Sequence, residues 1–154
     1  GKVMRAISLW QPWASAISLG AKIFETRHWD TKYRGPIAIH AAQRLRIGEI
    51  NRLLQDERWQ RALNMLVGVS PRGQGQRPVE IRDIPFGAIV CTAMLTDVIP
   101  TENMTGKEWP SGHFDIFGDY SPGRFAWKIE DVNRIEPIYC KGSQSFFQVD
   151  ICGC

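Results

Sequence analysis

Cysteine is scarce in this chain, with four among 154 residues, far too few for a small secreted scaffold held by disulfides. No apolar run approaches the ~20 residues that a membrane-spanning helix needs. The first residues lack a charged head followed by an apolar core and a small-residue cleavage site, so no secretory signal is expected. A glycine-rich phosphate loop, a nucleophile elbow and internal repeats are missing too. The three histidines include no pair at a catalytic or metal-ligating spacing. Cys152-Gly153-Cys154 offers two sulfur ligands without a second pair, so neither metal nor cofactor is expected. Cys91 lies in an apolar run and reads as core. Reduced thiols, a cytoplasmic location and no membrane partner follow as expectations.

What is present suits a globular protein. At 44% hydrophobic and 23% charged, whole-chain disorder is excluded, and the length suits one domain over residues 1–154. The net charge of +3 is mild, but its distribution is uneven. Residues 1–82 hold 14 Lys/Arg against 6 Asp/Glu, while residues 83–154 hold 5 against 10. A basic first half can gather phosphate; it can also serve only as a solvated surface that attracts the acidic half.

Periodicity and punctuation divide the chain into elements. Strands are expected at 3–9, 23–29, 35–42, 88–99, 124–131 and 145–151, with an extended piece at 137–141. In the second of these, Ile23, Glu25, Arg27 and Trp29 share a face. A helix is expected at 11–19, with Pro12 early and Gly20 as its stop. A long amphipathic helix is expected over 47–67. Residues 68–83 carry three Gly, two Pro and three Arg and read as a long basic loop. Residues 101–120 read as irregular, with a short helix near 104–108. Such an order predicts a mixed α+β fold whose five or six strands form a closed or nearly closed barrel, which removes sticky edges.

The chemistry concentrates after Gly20, where Lys22, Glu25 and Arg27 follow a helix-to-strand junction. Two cations around one carboxylate can form a plain ion-pair network. They can cradle a phosphate, with Glu25 orienting Arg27. Alternatively Lys22, deprotonated by desolvation and a cationic neighbour, can act as a base. Of Trp10 and Trp13, one reads as core and the other can stack on a base, while the Gln11 amide can read a base edge. Lys32, Arg34, Arg44 and Arg46 flank the third strand and can track a nucleic-acid backbone, with Arg72, Arg77 and Arg82 further along. His40, inside an apolar strand, reads as a satisfied core histidine, and His28 and His113 as exposed.

Three blocks in order, Ile7-Ser8-Leu9-Trp10-Gln11-Pro12-Trp13-Ala14, Gly20-Ala21-Lys22-Ile23-Phe24-Glu25-Thr26-Arg27 and Tyr33-Arg34-Gly35-Pro36-Ile37-Ala38-Ile39-His40-Ala41-Ala42, resemble the ASCH domain family of the PUA-like superfamily. That family includes a domain of the activating signal cointegrator and small bacterial proteins. Pro85-Phe86-Gly87-Ala88-Ile89-Val90-Cys91, Phe125-Ala126-Trp127 and Pro137-Ile138-Tyr139-Cys140-Lys141-Gly142 extend the resemblance over nearly the whole chain except 68–83. It implies a PUA-like β-barrel with a basic cleft and a role on RNA, with DNA as a further ligand. Some members are hydrolases, acting as ribonucleases or on an acetylated cytidine nucleoside, so activity does not follow from membership. Lys22 and Glu25 are the residues that such an activity would use here. The acetylcytidine amidohydrolases carry a Thr where this chain has Glu25, and Thr26 falls on the opposite face, which disfavours that activity.

Overall fold

The computed structural model describes residues 2–67 and 77–151. Strands β1 (Val3–Leu9), β2 (Phe24–Arg27), β3 (Gly35–Ala41), β4 (Ala88–Pro100), β5 (Phe125–Tyr139) and β6 (Phe147–Asp150) form one sheet in the order β2-β5-β4-β3-β1-β6. Helices α1 (Trp13–Ser18), α2 (Ile47–Leu54) and α3 (Glu57–Leu63) pack beside it. β1 and β3 run parallel, joined through α1 and β2, and all other neighbours are antiparallel. The fold is mixed α+β, as expected.

The sheet is not closed. β2 and β6 are its edges, and no ladder joins them among the described residues. Side chains close the seam instead. Trp29, just after β2, packs edge-on against Phe146, just before β6, with ring centroids 5.5 Å apart. Trp127 lies under both, 4.7 Å from Trp29 and 5.6 Å from Phe146. Two rings between backbones hold them further apart than the ~4.8 Å of a ladder. The main core lies beneath this seam, where Ile7, Leu9, Ile37, Ile39, Leu95, Trp127 and Ile129 are buried. Alternation along β1 and β3 sends the other face, with Met4, Ala6 and Ala38, to a second cluster under Phe147.

Several boundaries differ from those the sequence predicts. The helix expected over 47–67 is two helices and a 3-10 turn at Asn64–Leu66. Asp56 starts α3 by accepting the Arg58 N–H at 2.8 Å. The break lets Leu54 and Trp59 both enter the cluster under α1. The strands expected at 124–131 and 137–141 are one, β5, whose register shifts against β4 absorb the irregularity. No helix forms at 104–108; the single turn lies earlier, at Thr101–Asn103. The helix expected at 11–19 spans only Trp13–Ser18, then turns at Gly20, whose φ of +81° suits glycine. The expected strands at 23–29 and 145–151 shorten to β2 and β6. Cys91 is buried, as expected. Residues 68–76, with Arg72, and the pair Cys152 and Cys154 lie outside the described residues. Among the described residues no helix is long and apolar enough to cross a membrane.

Candidate nucleic-acid cleft

Gly20 ends α1 and turns the chain so that Lys22 enters the interior before β2 begins. Its ammonium is almost fully buried and donates to the Phe117 carbonyl at 3.2 Å. Glu25 Oε1 lies 3.8 Å away. Burial pushes the Lys22 ammonium below its ordinary proton affinity, against the pull of Glu25 and Asp115. Arg27 follows on the same face of β2 as Glu25 and pairs with its other oxygen at 3.3 Å. The Arg27 guanidinium also faces the rings of Trp29 at 5.5 Å and Trp127 at 5.8 Å. Its Nε is buried and lacks a hydrogen-bond partner. The three motif side chains thus form one row, with Glu25 between two cations.

Thr26 points the other way, as strand parity requires: its hydroxyl accepts the Asp119 N–H at 3.3 Å. Asp115 anchors the segment that roofs Lys22, accepting from Trp109 Nε1 at 3.1 Å, the Phe117 N–H at 2.9 Å and the Tyr120 hydroxyl at 3.1 Å. Sequence reasoning did not find Asp115, because this role depends on a fold-back of an irregular segment.

Glu25 and Arg27 open onto a cleft of about 1140 Å³. Trp10, Trp13, Arg44, Arg46, Arg124 and Lys141 also line it. Trp10 is 46% exposed, and the Arg46 guanidinium lies 4.1 Å from its ring centroid. Arg46 is held in turn by Glu49 at 2.8 Å. Trp13 is the core member of the pair, edge-on to Trp59 at 5.8 Å. A smaller hollow of about 690 Å³, between Ser15, Arg82 and Arg134, contains no motif residue.

Not every residue singled out from the sequence reaches the cleft. Gln11 is buried and its amide is spent: Nε2 donates to the Pro85 carbonyl and the Ser15 hydroxyl, and Oε1 accepts the Ser15 N–H. It ties α1 to the entry of β4 and has nothing left for a base edge. Lys32 and Arg34 are exposed away from the cleft, and Arg34 bonds the Thr31 and Tyr33 carbonyls. Lys22 lies behind Glu25 rather than on the cleft wall. Arg77 is committed to Asp83 through two short hydrogen bonds. Arg124 and Lys141, which sequence reasoning passed over, do reach the cleft, since β5 pairs with β2 and the turn after it packs on His40 of β3. His28 and His113 are exposed, as expected.

The family model of the ASCH domain matches residues 7–139. The chain belongs to the ASCH domain family. Among solved structures, the ASCH protein from Zymomonas mobilis is similar, with a TM-score of 0.54 at 16% identity over 96% of this chain and 87% of that one. Two mutants of that protein align equally, each with a TM-score of 0.53 at 16% identity over 96% of this chain, and over 88% and 90% of their own. At this identity the likeness bears on the fold, which is the PUA-like ASCH fold with its sheet left open. Comparison with curated proteins returns no match.

Proposed function

We propose that this ASCH domain binds single-stranded RNA in the cleft above Glu25 and Arg27. The observation that carries the reading is the lining of one open cleft by a half-exposed indole, Trp10, together with Arg27, Arg44, Arg46, Arg124 and Lys141. Guanidinium and ammonium groups take phosphate, and the free face of an indole takes a base regardless of sequence. The test is fluorescence anisotropy with a labelled single-stranded RNA, against the matching DNA and an RNA hairpin. Single-stranded RNA is expected to bind tightest, with a loss of at least tenfold in Arg27→Ala. Equal binding by Arg27→Ala counts against a cleft centred on the motif.

A ribonuclease is the second reading, favoured by the lowered proton affinity of Lys22 beside Glu25. Because Lys22 sits behind Glu25, Glu25 is the group that would take the proton from a 2′-hydroxyl, with Lys22 tuning it. RNA incubated without added metal would then be cleaved by the wild type and spared by Glu25→Gln. Uncut RNA that still binds leaves the first reading alone.

A further inference from the structure

A third polar device opens onto the cleft, and neither the motif nor RNA binding uses it. β1 and β3 are parallel and in a register that sets Ser8 beside His40. The Ser8 hydroxyl oxygen lies 2.9 Å from His40 Nδ1. His40 Nε2 lies 2.8 Å from the Cys140 carbonyl. A carbonyl oxygen only accepts, so Nε2 carries the ring proton of the neutral imidazole. Nδ1 is then the lone-pair nitrogen, and the Ser8 O–H donates to it. The ring is fixed further by Phe147, edge-on at 5.6 Å. In this arrangement a base is aimed at a hydroxyl, and a third group sets its tautomer.

His40 is buried with both ring nitrogens partnered, as expected of a core histidine, but the hydroxyl it holds faces the cleft. From Ala6 to Leu9, Ser8 is the one residue of β1 that is not buried, and both Ser8 and His40 line the cleft. Gly142 lies over the pair with no side chain: a Cβ there would come within 2.6 Å of the His40 ring and 3.1 Å of the Ser8 hydroxyl. Gly142 therefore packs directly on the pair, and the Ser8 hydroxyl is reached from the cleft side, where Lys141 and Arg44 line the wall.

We infer that Ser8 is a nucleophile activated by His40, serving the hydrolysis of an ester whose acyl part carries negative charge. In the first step Ser8 Oγ bonds to the acyl carbon as its proton passes to His40 Nδ1. The bond to the leaving alkoxide then breaks, and that oxygen takes the proton from Nδ1. Water attacks the acyl-serine, gives a proton to Nδ1, and releases the carboxylic acid as the proton returns to Ser8. The net change is ester plus water to acid plus alcohol. Exposed Arg44 and Lys141 supply the preference for an anionic acyl group. The assignment does not rest on RNA binding, since every test below is done without nucleic acid.

A fluorophosphonate probe, which captures activated serines, is incubated with the full chain, and the adduct is mapped by peptide mass spectrometry. The adduct is expected on Ser8, absent in Ser8→Ala, and formed at least tenfold more slowly in His40→Gln. Ser8→Ala removes one oxygen and makes no steric demand, so circular dichroism should show it folded. If His40→Gln does not fold, wild type against Ser8→Ala decides on the nucleophile. The ring 15N shifts of His40 in the wild type decide on the base, with an unprotonated Nδ1 expected. No adduct on Ser8, a His40→Gln rate within twofold of wild type, or a protonated Nδ1 overturns the assignment. At low salt 4-nitrophenyl hemisuccinate should be hydrolysed at least threefold faster than 4-nitrophenyl acetate. Equal rates overturn the substrate class.

Discussion

Salt dependence gives the sharpest test of how the cleft would hold a phosphate backbone. Five cations line it: Arg27, Arg44, Arg46, Arg124 and Lys141. Were all five to neutralise phosphates of a single strand, log K would fall with log salt at a slope of about −3.5, or roughly 130-fold between 50 and 200 mM. The structure argues for much less. Arg27 already has Glu25 at 3.3 Å, Arg46 has Glu49 at 2.8 Å, and Arg124 has Asp119 at 3.6 Å. Only Arg44 and Lys141 of the five have no carboxylate at ion-pair distance among the described residues. Two effective phosphate contacts give a slope of about −1.4, or roughly sevenfold over the same range. The perturbation is Arg44→Ala with Lys141→Ala, both exposed, so neither substitution should disturb the fold. Anisotropy titrations at several salt concentrations should give the shallow slope for wild type and almost none for the double variant. A steep wild-type slope that survives the double substitution would refute the idea that paired cations count little here.

Four further outcomes follow from the geometry. Trp10→Ala should weaken RNA binding by about 1–3 kcal/mol, the worth of one stacked base, without a change in Tm, since Trp10 is half exposed. Trp127→Ala, at the base of the aromatic seam, should cost about 3–5 kcal/mol in urea denaturation. Lys22 has a lowered folded proton affinity, so the unfolded chain binds more protons between that folded value and the ordinary 10.5. Wild type should therefore gain stability relative to Lys22→Met as pH rises through that window, and lose it as pH falls, as measured by denaturation at several pH values. The Cys91 thiol, pushed up to about 12 by burial, should resist a thiol reagent at pH 8 in the native state and react on unfolding.

Much of this was legible along the chain. The alternation of Glu25 and Arg27 against Phe24 and Thr26 is a local property of an extended strand, and it placed the pair on one face and Thr26 on the other. Residues 68–76 of the basic loop lie outside the described residues, and Arg77, beyond them, is tied to Asp83. Gln11 shows where local reading ends. Its side chain looks free in the sequence, but Ser15, four residues on, takes the amide oxygen and one N–H, and the approach of Pro85, 74 residues away, takes the other N–H. The single long helix expected after residue 47 failed for a related reason. The periodic pattern continues through Asp56, but an N-cap and the burial of both Leu54 and Trp59 favoured a break.

What the amino-acid order settled by itself was the inventory: which residues run extended, which face each takes, and where the charge collects. Those follow from the two backbone periodicities and from glycine and proline, all acting within a few residues. The tertiary structure alone decided that the sheet stays open behind a stack of rings, that Lys22 stands behind Glu25, and that Ser8 meets His40. Each depends on the register and approach of strands distant in sequence, where a shift of one residue would turn the side chains to the other face.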